Sequence, residues 1–236
     1  DLGTVIRSLR RRKEPDEVAL IQKCLRAAEA GHERARQVIG PGISEFDVYL
    51  EVQKASLQMA DKPSIVYGDF RAVNAARPKL GGLPTSYTLQ EGDSFILDFS
   101  VVMGGYRGDT TSTICVGVKQ DPRFVELFEV CRSALRKGEQ TLLSGVAASR
   151  VYDGVTAELK TLGYGGLVHH AGHGIGLAHP EPPVLAAESK DQLQEWDIVT
   201  LEPGLYVEGI GGIRLEHNYL ITAEGCQRLS QHALAL

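Results

Sequence analysis

Over residues 14–57, apolar side chains recur every three or four positions, the spacing of a helix face. Val18, Ile21, Leu25, Ala28 and Ala35 mark a first amphipathic helix ending near Ile39. Glu14-Pro15-Asp16-Glu17 opens it with proline and acidic residues in the first turn, and Gly40-Pro41-Gly42 breaks it. Ser44 caps a second helix carrying Phe46, Val48, Leu50, Val52, Ala55 and Leu57. From Ser64 the pattern shortens, and β-rich runs at 65–67, 94–101 and 111–118 alternate with glycine and proline turns. Asp121-Pro122 opens a third helix through Phe124, Leu127, Val130, Ala134 and Leu135, and a fourth spans about Ala148 to Leu162 before Gly163. Residues 165–221 return to short strands and turns. Helix, helix, sheet is thus written twice, which predicts an α+β fold of two similar halves sharing one core.

A finer repeat lies inside this one. Leu89-Gln90-Glu91-Gly92-Asp93, Leu97-Asp98 and Gly104-Gly105-Tyr106-Arg107-Gly108-Asp109 are echoed by Leu193-Gln194-Glu195-Trp196-Asp197, Leu201-Glu202 and Gly211-Gly212-Ile213-Arg214-Leu215-Glu216. Asp98 aligns with Glu202, and Asp109 with Glu216. Each pair is expected on a strand-turn-strand unit, the second acid on the return strand. A pseudo-twofold relating the units brings all four carboxylates to one point. Like charges in a dry site raise one another's pKa, so a cation must lie among them.

Between the pairs, residues 169–179 hold four of the chain's seven histidines. Glycines around His173 allow close backbone packing and turn an imidazole toward the centre. Four carboxylates with one imidazole suit Mn²⁺, Co²⁺, Fe²⁺ or Zn²⁺ better than a thiolate-loving metal. So many anionic donors imply two ions about 3.5–4 Å apart, which supply hydroxide near neutral pH for hydrolysis of a carbonyl or related centre.

Composition narrows the setting. With 43% apolar and 23% charged residues, the 236-residue chain reads as an ordinary soluble globular protein. Its formal net charge of −5 offers no footprint for nucleic acid or an anionic membrane. No apolar run approaches a membrane span, and no signal-peptide pattern opens the chain. Cysteines 24, 115, 131 and 226 are scattered, as free thiols in a reducing compartment would be, and a cytoplasmic location is expected. Arg10-Arg11-Arg12-Lys13 reads as a solvated linker before the first strong helix. The expected division is therefore a linker end at 1–13, following a preceding domain, and a catalytic domain at 14–236.

Asp98, Asp109, His173, Glu202 and Glu216, with GHGIGL (172–177), LEPGLY (201–206) and GGIRLE (211–216), resemble the pita-bread metallopeptidases. That family includes methionine aminopeptidase, aminopeptidase P, prolidase and creatinase, and the wording is closest to the Xaa-Pro aminopeptidase and prolidase branch. The resemblance implies a curved, mainly antiparallel sheet and two metal ions, Mn²⁺ or Co²⁺ first, with Zn²⁺ or Fe²⁺ as alternatives. Asp98, Asp109 and Glu216 share them, while His173 and Glu202 complete one ion's coordination. A bridging hydroxide attacks the scissile carbonyl of a short peptide, Glu202 shuttles the proton, and His169 and Arg214 meet the substrate. A homodimer of the full-length protein is also implied.

The chain departs from the family pattern at three places. Lys79 follows Pro78 where a histidine is usual, Ser112 stands for an arginine, and Pro180 occupies the place of a catalytic histidine, with His179 one position early. In one reading Lys79 contacts substrate and His179 takes over the catalytic role. One residue of offset on a strand faces the opposite side, so that reading needs a local bulge. In the other, the metal core persists around a retooled substrate pocket, acting on a small non-peptide molecule as creatinase does. A non-catalytic binding module is the third possibility.

Overall fold

The computed structural model describes residues 2–117 and 121–236. A short helix, α1 (Leu2–Arg11), precedes the first predicted one, α2 (Pro15–Val38). A reciprocal capping box between Glu14 and Glu17 fixes the start of α2. In α3 (Glu45–Ala60) the Ser44 hydroxyl accepts the Asp47 N–H at 3.0 Å, and Asp61 ends the helix in the left-handed region at φ 52°. Their apolar faces cover an antiparallel sheet of β1 (Ile65–Val73), β2 (Ser94–Met103) and β3 (Tyr106–Cys115), in that order. Phe70, Phe95, Leu97 and Phe99 lie fully buried between the layers.

The second half repeats the plan. Helices α4 (Pro122–Glu139) and α5 (Ala148–Thr161) pack on a sheet ordered β10-β9-β6-β4-β5. Its strands are β4 (Gly172–Gly174), β5 (Glu181–Leu185), β6 (Ile198–Leu201), β9 (His217–Thr222) and β10 (Gly225–Arg228). A separate hairpin joins β7 (Gly204–Val207) to β8 (Gly211–Arg214). Every strand pairing is antiparallel. The two-halved α+β architecture expected from the sequence is what the chain adopts. The halves, however, have separate apolar cores joined by a smaller cluster around Ile21, Leu25, Ile175 and Ile198, not the one shared core expected.

Three details differ from the sequence reading. β1 continues to Val73 and β3 begins at Tyr106, because both pair with β2 along its length, from Ser94 opposite Cys115 to Met103 opposite Tyr106. The expected strand end at Val118 lies outside the described residues. Second, the Gly209–Gly212 turn belongs to the β7–β8 hairpin and not to a β6–β9 hairpin. Pro203 lacks an N–H and ends β6 directly after Glu202, so the chain makes an extra excursion before β9 pairs with β6. Third, only part of the basic run is solvated: Arg12 is exposed, but Arg11 and Lys13 are not. Arg11 is buried and grips both oxygens of buried Asp197, at 2.8 and 2.7 Å, and Lys13 is buried against Glu181. A buried cation needs a buried anion, and the second half supplies both.

Candidate metal centre

The centre is built where the two sheets meet. Asp98 and Asp109 both project from the β2–β3 ladder, with Ser100 directly opposite Asp109 and donating its hydroxyl proton to Oδ1 at 2.9 Å. Glu202 follows β6, its N–H donating to the Ala171 carbonyl at 2.8 Å. Glu216 falls between β8 and β9 instead of within the return strand. Its N–H donates to the Thr111 carbonyl at 3.0 Å, and the Thr111 hydroxyl donates to its Oε2 at 2.7 Å. Residues of β3 therefore hold an acid of the other half in place. His173 lies on β4, where Nδ1 donates to the Gly174 carbonyl at 2.9 Å. That bond puts the ring proton on Nδ1 and leaves the Nε2 lone pair toward the acids. Nε2 lies 3.4 Å from Glu202 Oε1 and 3.7 Å from Asp109 Oδ2.

Three groups of donors have ligand atoms mutually within 4.8 Å: Asp98, Asp109 and Glu216; Asp109, His173 and His179; and His169, His170 and Glu202. All five expected ligands are thus brought together. Asp109, His173, Glu202 and Glu216 are buried, and Glu216 Oε1 has no hydrogen-bond partner among the described residues. A buried, unpaired carboxylate oxygen is costly unless something cationic meets it. Hard oxygen donors plus one correctly oriented imidazole fit divalent metal on those grounds.

Electrostatics sorts the acids. Burial, then repulsion from Asp98 and Asp109, pushes the Glu202 carboxyl well above the usual range. Burial and the charges of Asp109 and Glu202 do the same to Glu216. Asp98 rises to about 6: burial lifts it, Arg214 pulls it down, and Asp109 and Asp69 lift it again. Asp109 alone moves down, because the His179 hydrogen bond and the neighbouring imidazoles outweigh its burial.

The departures from the family pattern now have positions. His179 faces the centre, its Nε2 2.7 Å from Asp109 Oδ2 and its ring 4.8 Å from that of His173. Strand parity does not apply there, because residues 176–180 form bends. Where strand pairing resumes, Gly174 opposes Glu181 while His173 opposes Val184, so β5 bulges as the offset required. Lys79 sits on an exposed stretch with its ammonium 5.1 Å from the Tyr206 ring centre, so it lies against an aromatic face and not on the metal-site acids. Arg214 pairs with Asp98 and lies 3.4 Å from Asp69 and 3.3 Å from the Tyr206 hydroxyl. His169 Nε2 lies 3.2 Å from the same hydroxyl. Ser112, where the family has arginine, accepts a hydrogen bond at 2.8 Å from Arg36 of α2, so a guanidinium reaches that place from another element.

Several residues at the centre were not assigned from sequence. His170 Nδ1 lies 3.4 Å from Glu202 Oε1, and the His169-His170 doublet was the available signal. Burial lowers both imidazoles to about 4. Asp69, directly across the ladder from Asp98, and Tyr67 line an open cavity of about 330 Å³ beside Asp98, Asp109 and His179. Tyr206 joins His169, Arg214 and Lys79. Neither Asp69 nor Tyr67 sits in a recognisable motif. Larger depressions of about 550 Å³ near α4 and α5, and about 590 Å³ near α1, contain none of the donor groups, so size alone does not locate the chemistry.

A buried acid cluster of this form, on this fold, defines a class. The chain belongs to metallopeptidase family M24, whose profile matches residues 19–223. It is 29% identical over 233 residues to an Xaa-Pro dipeptidase of Pyrococcus furiosus, covering 98% of this chain and 66% of that one. Among solved structures it resembles an Xaa-Pro dipeptidase from Bacillus anthracis (TM-score 0.90, 28% identity, 98% of this chain and 65% of the other). The prolidase from Pyrococcus horikoshii OT3 superposes with TM-score 0.87 at 27% identity, covering 99% of this chain and 67% of the other. The pita-bread fold is shared with these proteins. The chain spans 64–66% of the length of the first two curated relatives it matches.

Proposed function

We propose that this chain carries the catalytic centre of a metal-dependent hydrolase that cleaves short peptides at Xaa-Pro bonds. One observation supports the reading: Asp109 and Glu202, from the two half-folds, meet the free Nε2 of His173, and Asp98 and Glu216 gather on Asp109, three of the four acids being buried. Asp98, Asp109, His173, Glu202 and Glu216 would together hold two divalent ions. Mn²⁺ and Co²⁺ are the proposed occupants, on the oxygen-rich donor chemistry. When bound, such ions lower the pKa of water so that hydroxide is available near neutral pH. The chain's own groups do the rest. Glu202 takes the proton from the attacking water and returns it to the leaving nitrogen. His179, whose Nε2 meets Asp109 in this structure, would turn an N–H to the carbonyl oxygen as negative charge develops there. His169, Arg214 and Lys79, gathered around Tyr206, form the wall that orients the substrate.

The names of the relatives support the Xaa-Pro class. Incubating the Mn²⁺- or Co²⁺-loaded chain with a panel of Xaa-Pro dipeptides and longer Xaa-Pro peptides tests it. Release of the N-terminal residue is expected, and no cleavage across the panel overturns the reading. Lys79 in place of an imidazole favours a second reading, action on a small non-peptide molecule. Turnover of such a compound with an inert peptide panel would select it. Four free thiols support a reducing, cytoplasmic setting. Among the described residues no helix is long and apolar enough to cross a membrane. Homodimerisation of the whole protein rests on the family resemblance, and sedimentation equilibrium tests it.

A further inference from the structure

His179 reaches Asp109 from a bend that no strand ladder supports. The bend runs from Gly176 to Pro180, and the next residue, Glu181, closes it twice. Its backbone opposes Gly174 in the β4–β5 pairing, and its Oε2 accepts the Ala178 N–H at 3.2 Å. The Glu181 carboxylate is buried, and its other oxygen takes a hydrogen bond from the Lys13 ammonium. Lys13 is equally buried. It also donates to the Arg11 carbonyl at 3.0 Å, while its own N–H donates to the Trp196 carbonyl at 2.9 Å. Gly176 completes the contact: a Cβ there would lie 2.7 Å from Glu181 Oε1 and 2.9 Å from Lys13 Cε. The ion pair therefore rests directly on the bend that carries His179.

We propose that the Lys13–Glu181 ion pair is a positioning device for His179, so that the segment after α1 is a working part of the catalytic centre. The inference rests on the reading of His179 as the group that meets the scissile carbonyl. Neither Lys13 nor Glu181 touches the reacting atoms. They act through the bend, holding its imidazole over Asp109 where the sequence has moved the histidine one place early.

A pair that only stabilises the fold predicts something different. Replacing a buried ion pair by neutral side chains of similar shape is often neutral or stabilising. The double variant Lys13→Met/Glu181→Gln is therefore expected to keep its thermal midpoint and its metal content. Its kcat on an Xaa-Pro dipeptide should nonetheless fall about a hundredfold, the scale of a misplacement near 1 Å, with KM little changed. In the His179→Ala background the same double change should add no further loss. Lys13→Arg, which keeps the charge, should retain most of the activity.

A second readout does not depend on turnover. In chain labelled with ¹⁵N-histidine, the imidazole signals of His179, assigned by their loss in His179→Ala, should move in the double variant and stay in place in Lys13→Arg. Unmoved signals in a folded double variant, or a kcat loss that adds in full to that of His179→Ala, overturn the proposal. Should the double variant not fold, Glu181→Gln alone is read by the same signals and the same criterion. If the wild-type chain cleaves no Xaa-Pro peptide, the functional reading falls, while the imidazole signals still decide whether the ion pair positions His179.

Discussion

The two half-folds deliver their acids in different electrostatic states. In the first half, Asp98 is paired with Arg214 and Asp109 with His179, so each acid meets a cationic or protonatable group from the other half. In the second, Glu202 meets the Thr200 hydroxyl at 3.3 Å and, at 3.4 Å, the imidazoles of His170 and His173, both lowered by burial. Glu216 meets only the Thr111 hydroxyl, at 2.7 Å, and keeps one oxygen unpartnered; among the described residues no Lys or Arg pairs with either acid. The sequence repeat is nearly symmetric, yet the charge compensation is not. The lesson is that the need for metal is concentrated on the second half's acids, while the first half's acids are already partly answered by protein.

The sharpest way to break this contrast is Glu202→Gln. Removing the proposed proton shuttle while keeping shape should lower kcat on Xaa-Pro peptides by about a thousandfold, with the circular-dichroism spectrum intact. Full activity would mean that the centre is misassigned.

Next in size is a pair of substitutions measured on metal-free protein. Glu216 has a raised pKa in the fold, so its contribution is favourable below the ordinary range near 4.5 and is lost as pH rises through the folded value. Glu216→Gln should therefore be near neutral at pH 4.5 and stabilising at pH 8, by about 1–3 kcal/mol. Asp109 has a lowered pKa, so its contribution is present above the ordinary carboxylate range and is lost as pH falls through the folded value. Asp109→Asn should therefore destabilise by a similar amount at pH 8. Chemical denaturation at both pH values reads the two opposite signs, and equal signs would erase the difference between the halves.

These asymmetries were only partly legible beforehand. Helices α2 to α5 declared themselves because their apolar periodicity and, in all but α5, their caps are local, and Asp98, Asp109, His173, Glu202 and Glu216 because they stand in repeated or glycine-rich wording. The β7–β8 hairpin could have been suspected from Pro203, which ends a strand in the middle of the apparent repeat. Arg11 and Lys13 could not be placed, since their partners Asp197 and Glu181 lie more than 160 residues away in sequence. The same holds for Asp69 and Arg36, whose importance comes from ladder register and helix packing that no short-range pattern encodes. His179 sat one position from its expected place, and the geometry of a bend, invisible in sequence, decided which way it pointed.

A smaller effect concerns the support behind β3. His32 Nε2 lies 3.0 Å from the Thr110 hydroxyl, and its ring stacks on His232 at 4.4 Å. Burial, then the neighbouring imidazole, lowers His32, and burial brings His232 to about 4. A histidine lowered from 6.5 gives its full stability above that pH and loses it as pH falls toward the folded value. Between pH 6.5 and 4 the wild-type chain should lose about 1.4 kcal/mol more per pH unit than His232→Asn. Identical slopes would show that the ring does not titrate on unfolding. Smallest is Lys79→Ala, expected to raise KM for Xaa-Pro peptides less than about tenfold, because an exposed ammonium over an aromatic ring contributes about 0.5–1 kcal/mol. A collapse in kcat would instead bring Lys79 into the chemistry.

The central claim is that four acids and His173 form a two-metal centre whose second-half carboxyls hold protons until metal arrives. Isothermal calorimetry of Mn²⁺ binding at pH 6.5, repeated in buffers of different ionisation enthalpy, measures ion count and proton release together. The account predicts two ions per chain with net release of protons, since raised carboxyls must ionise to bind. One ion or none, or binding without proton release, would contradict it.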